Sequence, residues 1–173
     1  MKKKVFIILM VMSVIFLSGC GNSKPKNEVI TLEDSNLKYK TTFEFEKADG
    51  FKLEKEETGG KYKEIIMKNE LENLKFDMYY SDNSDDAYKS LKEDRSTKKN
   101  YKEYKYGKYD AYVYSDYDSD LNLIIKLTDE KNKVISLYVY IETINFDNSD
   151  VVYEMFNREV IQNFFNSIEL TVE

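Results

Sequence analysis

Apolar and polar residues alternate through most of this chain, and a period of two marks strands with one dry face. In LKYKTTFEFEK, Leu37, Tyr39, Phe43 and Phe45 share one parity while Lys38, Lys40, Glu44 and Glu46 take the other. Ala48-Asp49-Gly50 then predicts a turn into FKLEKE, where Phe51 and Leu53 repeat the pattern, so the two segments are expected to form a hairpin. Gly59-Gly60 marks the next turn. KYKEIIMK reads as a third strand and NLKFDMYY as a fourth, with Leu74, Phe76, Met78 and Tyr80 on one side. Further on, YKEYKY, YDAYVYSDY, LNLIIKLT and KVISLYVYIE resume the alternation. Leu121, Leu123, Ile125 and Leu127 answer Ile135, Leu137, Val139 and Ile141 across the turn Asp129-Glu130-Lys131-Asn132.

Two stretches change the period. Ser84 before Asp85 and Asp86 predicts a helix start, because a serine oxygen can accept from a free backbone N–H and acids favour the positive helix end. That helix runs through AYKSLKED, docks Ala87, Tyr88 and Leu91, and frays in RSTKKN, with Ser81 to Asp86 read as loop and cap. Asn148-Ser149-Asp150 caps a longer helix, VVYEMFNREVIQNFFNSIEL. In it Phe156, Val160, Ile161, Phe164, Phe165 and Ile168 share one face, and Arg158, Glu159, Gln162, Asn163 and Asn166 lie opposite. Ile168, Leu170 and Val172 return to period two as a short closing strand.

These elements predict a single-domain α+β fold: an antiparallel sheet of about six to eight strands packed by a C-terminal amphipathic helix and a second mid-chain helix. Their order, with a capped helix after the fourth strand, a long hairpin and a final helix ending in NSIEL, resembles the PsbP-like fold. That fold is shared by a photosystem II extrinsic subunit, a Ran-binding nuclear-transport factor and many bacterial lipoproteins. The resemblance spans about Leu37 to Val172 and implies a partner-binding scaffold rather than one reaction. It carries over no site residue.

The first residues follow another rule. Lys2, Lys3 and Lys4 precede an apolar run from Val5 to Leu17, broken only by Ser13, and Ser18 and Gly19 then lead to Cys20. As a helix the run reaches about 20 Å, short of the roughly 30 Å hydrocarbon core, so it reads as an export signal. Leu17-Ser18-Gly19-Cys20 resembles the lipobox of bacterial lipoproteins. The resemblance implies a diacylglyceryl thioether on Cys20 and cleavage before it, with membrane lipid as the first partner. The chain then divides into a leader (1–19), a lipidated cysteine and tether (20–36) holding the sole proline, Pro25, and a folded domain (37–173). The expected location is the extracytoplasmic face of a cell membrane, of Gram-positive type.

Composition narrows the chemistry. Cleavage removes three lysines and no acid, taking the net charge from −6 to −9, which disfavours nucleic acid as a partner. Histidine is absent and Cys20 is the single cysteine, so Ser-His and Cys-His pairs and the common zinc sets are excluded. Glycines are too sparse for a phosphate-cradling loop. Asp116, Asp118 and Asp120 imitate the first, third and fifth positions of a calcium loop, but Leu121 stands where glycine is needed and Leu127 where a bidentate glutamate belongs. No catalytic residue, metal or cofactor is therefore assigned.

What remains is tyrosine. YKEYKYGKYDAYVYSDY holds seven in seventeen positions. Tyr101, Tyr104, Tyr106 and Tyr109 are the candidate partner- or ligand-binding residues, because Tyr112 and Tyr114 flank Ala111 and Val113 and belong on a sheet's outer face. Cross-strand packing at the edge of a core is the more common role of such tyrosines. The expected function is a non-enzymatic binding or assembly module for another envelope component, protein or glycan. A small-ligand or cation carrier beside a membrane complex, and a carboxylate-based hydrolase, are the alternatives. A module should show an exposed aromatic patch, a carrier an enclosed pocket, and a hydrolase two carboxylates in one partly dry depression.

Overall fold

The computed structural model describes residues 27–34, 38–46, 50–59, 62–70, 73–130, 133–143 and 148–172. Strands β3 (Lys52–Gly59), β4 (Tyr62–Lys68), β5 (Asn73–Ser84), β6 (Lys99–Tyr106), β7 (Tyr109–Ser115), β8 (Asp120–Glu130) and β9 (Lys133–Thr143) form one sheet in the order β3-β4-β5-β9-β8-β7-β6. Strands β1 (Glu28–Asp34), β2 (Tyr39–Phe45) and β10 (Glu169–Val172) form a second, in the order β1-β2-β10. Helix α1 (Asp85–Arg95) follows β5, and α2 (Ser149–Phe156) and α3 (Glu159–Asn166) precede β10. Every strand pair is antiparallel. Among the described residues the architecture is α+β: the antiparallel sheet of seven strands falls within the six to eight expected, and the three-stranded sheet beside it was not expected.

The core follows from alternation. Leu74, Phe76, Met78, Leu121, Leu123, Ile125, Leu137, Val139 and Ile141 all point to one face of the large sheet and are buried. The small sheet, α2 and α3 cover that face. Phe164 sits at the junction: its ring stacks on Phe43 at 4.9 Å and lies 6.2 Å from Phe76 and 5.1 Å from Phe165. Polar ties at Lys63 and Tyr80 also join the two sheets. The buried Lys63 ammonium donates to the Thr31 carbonyl and pairs with Glu56, and the Tyr80 hydroxyl is hydrogen-bonded to the Leu32 carbonyl (2.9 Å) and the Thr41 hydroxyl (2.7 Å).

Four local expectations are corrected. The stretch from Glu28 to Asp34, read as tether, is β1; its Ile30 and Leu32 alternate into the core, and it pairs with β2 along its whole length. β2 does not form a hairpin with β3 but joins β1 and β10, so the chain changes sheet between them. Two stacked sheets let Phe43 and Phe45 face Phe164, whereas a hairpin would place both strands in one layer. Ser81 to Ser84, read as loop, extend β5 opposite Ser136 to Lys133. Ser84 still caps α1, accepting from the Ala87 N–H at 3.2 Å, although Ala87 is exposed and Tyr88 supplies the buried contact.

The fourth correction concerns the last helix, which is two. Arg158 is extended at φ −64°, ψ 143°, and breaks the run after Asn157. The Gln162 side chain donates to the Phe156 carbonyl (2.6 Å), so the end of α2 keeps a partner for a carbonyl that a continuous helix would satisfy, while the Asn157 side-chain amide adds a second bond (2.7 Å) to the Tyr153 carbonyl. The break lets Val152, Met155 and Phe156 from α2, and Val160, Ile161, Phe164 and Phe165 from α3, reach the same core.

Among the described residues no helix is long and apolar enough to cross a membrane. The leader, Cys20, the first residues of the expected tether, and the turn residues Ala48, Asp49, Gly60, Lys131 and Asn132 lie outside the described residues.

Because Phe164 touches four aromatic neighbours across three layers, Phe164→Ala should cost about 4 kcal/mol. Urea unfolding would read this as a lower midpoint with an unchanged slope, while Val29→Ala at a 63% exposed position should stay within about 0.5 kcal/mol. A loss below about 1 kcal/mol at Phe164 would contradict this packing.

Candidate functional site: an open tyrosine face of the large sheet

The opposite face of the large sheet carries the other parity. Register places Tyr62, Tyr79, Tyr138, Ile124, Tyr112 and Glu103 opposite one another in a single row across β4, β5, β9, β8, β7 and β6. The adjoining row runs Glu64, Asp77, Tyr140, Asn122, Tyr114. Strands bring these residues into line because their spacing across the sheet is fixed at about 4.8 Å.

Helix α1 closes one half of this face. Tyr88 meets Tyr112 edge-on at 6.3 Å and joins Tyr114, Ile124 and Val134 in a second, smaller core, with the Arg95 guanidinium 5.2 Å from the Tyr114 ring. The other half is open. Tyr62 and Tyr79 are 36% and 41% exposed, and Ile66, Tyr138 and Tyr140 are half-buried beside them. Tyr79 stacks on Tyr138 at 5.4 Å with ring planes 20° apart, so the pair offers edges and hydroxyl tips to solvent.

A charge network frames the tyrosines. The Lys75 ammonium lies 3.0 Å from Glu142, 3.2 Å from Asp77 and 3.4 Å from Glu64. Partial burial draws its pKa down, but hydrogen bonds to Glu142 and Asp77 outweigh that and hold it above the ordinary lysine value. The Tyr62 hydroxyl donates to Asp77 at 2.5 Å, and burial together with that bond raises its pKa. Burial, aided by the charges of Asp120 and Glu142, pushes Tyr140 up to about 12. All of these phenols are neutral donors near pH 7, and three carboxylates around one ammonium leave the patch acidic.

The four tyrosines singled out from sequence do not share this surface. Tyr104, Tyr106 and Tyr109 turn toward the main core. Tyr106 and Tyr109 are buried; Tyr104 is half-buried, packs edge-on to Phe156 at 5.5 Å and donates to the Asn157 side-chain oxygen at 2.7 Å. Tyr101 faces the other way, half-buried at 6.1 Å from Tyr112, and donates to Glu103 at 2.9 Å. Burial and that bond push it up to about 12. Tyr112 and Tyr114 do take the opposite face, but under α1. Tyr62, Tyr79, Tyr138 and Tyr140, which line the open face, were not singled out from the sequence, where their signal is tyrosine at the polar parity of three strands.

The aspartates of SDYDSDLN diverge. Asp116 lies 3.4 Å from Lys98 and 4.0 Å from Arg95, and Asp118 lies 3.9 Å from Lys99. Asp120 is buried and accepts from the Tyr117 N–H at 3.2 Å, closing the β7–β8 turn. Among the described residues no three acids are grouped to hold a metal ion. Two open clefts, of about 270 and 390 Å³, flank Lys108 and Tyr109 at the far end of β7.

No family model matches the chain, and no curated protein matches it. Among solved structures it aligns with the one titled "Crystal structure of LpqN involved in cell envelope biogenesis of Mycobacterium tuberculosis". The alignment has 11% identity and a TM-score of 0.45, and covers 85% of this chain and 92% of that one.

Burial, with the nearby charge of Asp116, raises the Asp120 pKa, so ionising Asp120 costs folding free energy once pH climbs above the unfolded carboxylate value. Asp120→Asn keeps the acceptor for Tyr117 and removes the buried charge. Its melting temperature should exceed that of the parent at pH 7, and the two should converge below about pH 4, where both states of the parent are protonated. A constant offset across that range would show that charge burial is not the cause.

Proposed function

We propose that this chain is a lipid-anchored, extracytoplasmic binding module that presents the open tyrosine face to another component of the cell envelope. The observation that carries the proposal is the aligned row Tyr62, Tyr79 and Tyr138 with Tyr140 beside it, held on a rigid sheet and left half uncovered. Tyrosine at such a place supplies a large contact area for little rotamer entropy, and its hydroxyl satisfies a polar partner. The acids Glu64, Asp77 and Glu142 around Lys75 favour a neutral or basic surface in the partner.

The anchor belongs to the same proposal and is supported by Leu17-Ser18-Gly19-Cys20 after an apolar run too short to span. A PsbP-like fold belongs to the same proposal and is supported by the antiparallel sheet with a capped mid-chain helix, a long hairpin of β8 and β9, and helices before the last strand. Binding without catalysis is supported by the absence of histidine from the sequence and by the separate ion pairs that hold Asp116 and Asp118.

The test uses crosslinking of the lipidated protein in its native envelope, comparing the parent with a Tyr62→Ala, Tyr79→Ala double variant and with Tyr117→Ala, a 74% exposed tyrosine elsewhere. The double variant should lose its crosslinked partner while its stability falls by about 1 kcal/mol or less per site; Tyr117→Ala should behave as the parent. Mass spectrometry should find a diacylglyceryl group on an N-terminal Cys20, and Cys20→Ser should release the protein from membranes. An unchanged crosslink in the double variant would sink the surface, and an unmodified thiol would sink the anchor.

A further inference from the structure

Strand β6 ends the large sheet. β7 pairs with one of its edges, and among the described residues no strand pairs with the other. The first part of that edge is irregular: Asn100 has φ +58°, the register shifts between Lys99 and Lys102, and the Tyr101 N–H turns back to the Lys98 carbonyl at 3.4 Å. From Lys102 to Tyr106 the pairing with β7 is unbroken, and this stretch extends about 17 Å.

The turn decides which backbone groups face outward. Tyr106 and Tyr109 flank the two-residue turn Gly107-Lys108, and such a closing pair exchanges its N–H and C=O groups across the hairpin. Tyr104 and Lys102 share that phase and bond to β7, so Glu103 and Lys105 aim their backbone groups away from the sheet. Their side chains take the α1 face with Tyr101, while Lys102, Tyr104 and Tyr106 take the core face.

Lysines along an edge ordinarily keep further strands away, so the charges restrict what can add here. A second β6 related by a two-fold axis must bring like faces together, which centres the pair on a single residue. Centring on Lys102, Glu103 or Lys105 sets that charge against its own copy. Centring on Tyr101 falls on the irregular part, and centring on Tyr106 runs off the strand. Centring on Tyr104 places Glu103 opposite Lys105 twice, Lys102 opposite Tyr106 twice, and Tyr104 opposite itself. Glu103 and Lys105 are exposed; within the chain Glu103 meets Lys92 at 2.9 Å and the Tyr101 hydroxyl at 2.9 Å, and Lys105 meets Asp110 at 3.8 Å. The Lys102 ammonium already lies 4.9 Å from the Tyr104 ring, where a second copy would add another.

We propose that the outer edge of β6 pairs antiparallel with β6 of a second copy of this chain, centred on Tyr104. The outward groups of Glu103 and Lys105 supply the main-chain bonds, and the charges of the same two residues set the register. The axis stands perpendicular to the sheet, so two open tyrosine faces point the same way and a partner with repeated sites can meet both. So short an edge buries less than a stable interface does, which makes the pair weak in dilute solution. The edge shares no residue with Tyr62, Tyr79, Tyr138 and Tyr140, and pairing there stands or falls independently of what they bind.

The test follows amide hydrogen exchange of the full chain by NMR in detergent micelles, from dilute to millimolar protein. The Glu103 and Lys105 amides should slow by roughly tenfold as concentration rises, while the outward amides of β3, at the other end of the sheet, keep their rates. Glu103→Lys and Lys105→Glu each set like charges against one another and should remove that slowing at a melting temperature close to the parent's. An equal mixture of the two variants places opposite charges across the pair and should restore it. Exchange that ignores concentration, slowing centred on another residue or strand, or a mixture that pairs no better than its components would overturn the proposal.

Discussion

Burial of one parity of β5, β9 and β8 is the constraint on which the rest of the molecule depends. Leu74, Phe76, Met78, Leu121, Leu123, Ile125, Leu137, Val139 and Ile141 must leave water together, and the aromatic cluster around Phe164 gives them a surface to meet. A strand has only two faces, so this burial compels Tyr79, Tyr138, Tyr140 and Asn122 to the other side. The open tyrosine row is therefore a consequence of core packing, and its spacing is as rigid as the sheet.

How much of that second face stays open is decided by α1. The helix lays Tyr88 over Tyr112, Ile124 and Val134, and Arg95 over Tyr114, converting one half into a small aromatic core. It does not cover Tyr62 or Tyr79, where Lys75 among Glu64, Asp77 and Glu142 keeps the surface solvated and acidic. The same logic of incomplete covering operates at the end of β8, where a bulge and a tight turn separate strands that otherwise pair. Along that edge of β8 no strand pairs with Lys126 to Glu130 on the β7 side among the described residues.

Period and caps were legible in the sequence. β4, β5, β8, β9 and the buried faces of α2 and α3 follow from alternation and from steps of three and four, and Ser84 and Asn148 mark their helix starts as caps should. β1 was hidden because its seven residues stand beside the only proline in a polar stretch, and its burial needs β2. The break at Arg158 was hidden because an amphipathic run of period 3.6 is the same for one helix or two; the Gln162 side chain supports it by bonding the Phe156 carbonyl at the break.

For the candidate surface, sequence by itself determined that strands carry tyrosine at polar positions, and that histidine, thiol and phosphate-loop chemistry are absent beyond Cys20. Which tyrosines are dry could not be read there. Tyr106 and Tyr79 look alike in text, but one meets Phe165 at 5.7 Å under α3 and the other meets solvent. Period fixes two sides of a strand without naming the covered one. Only the docking of helices and of the small sheet, contacts between residues far apart in the chain, makes that choice.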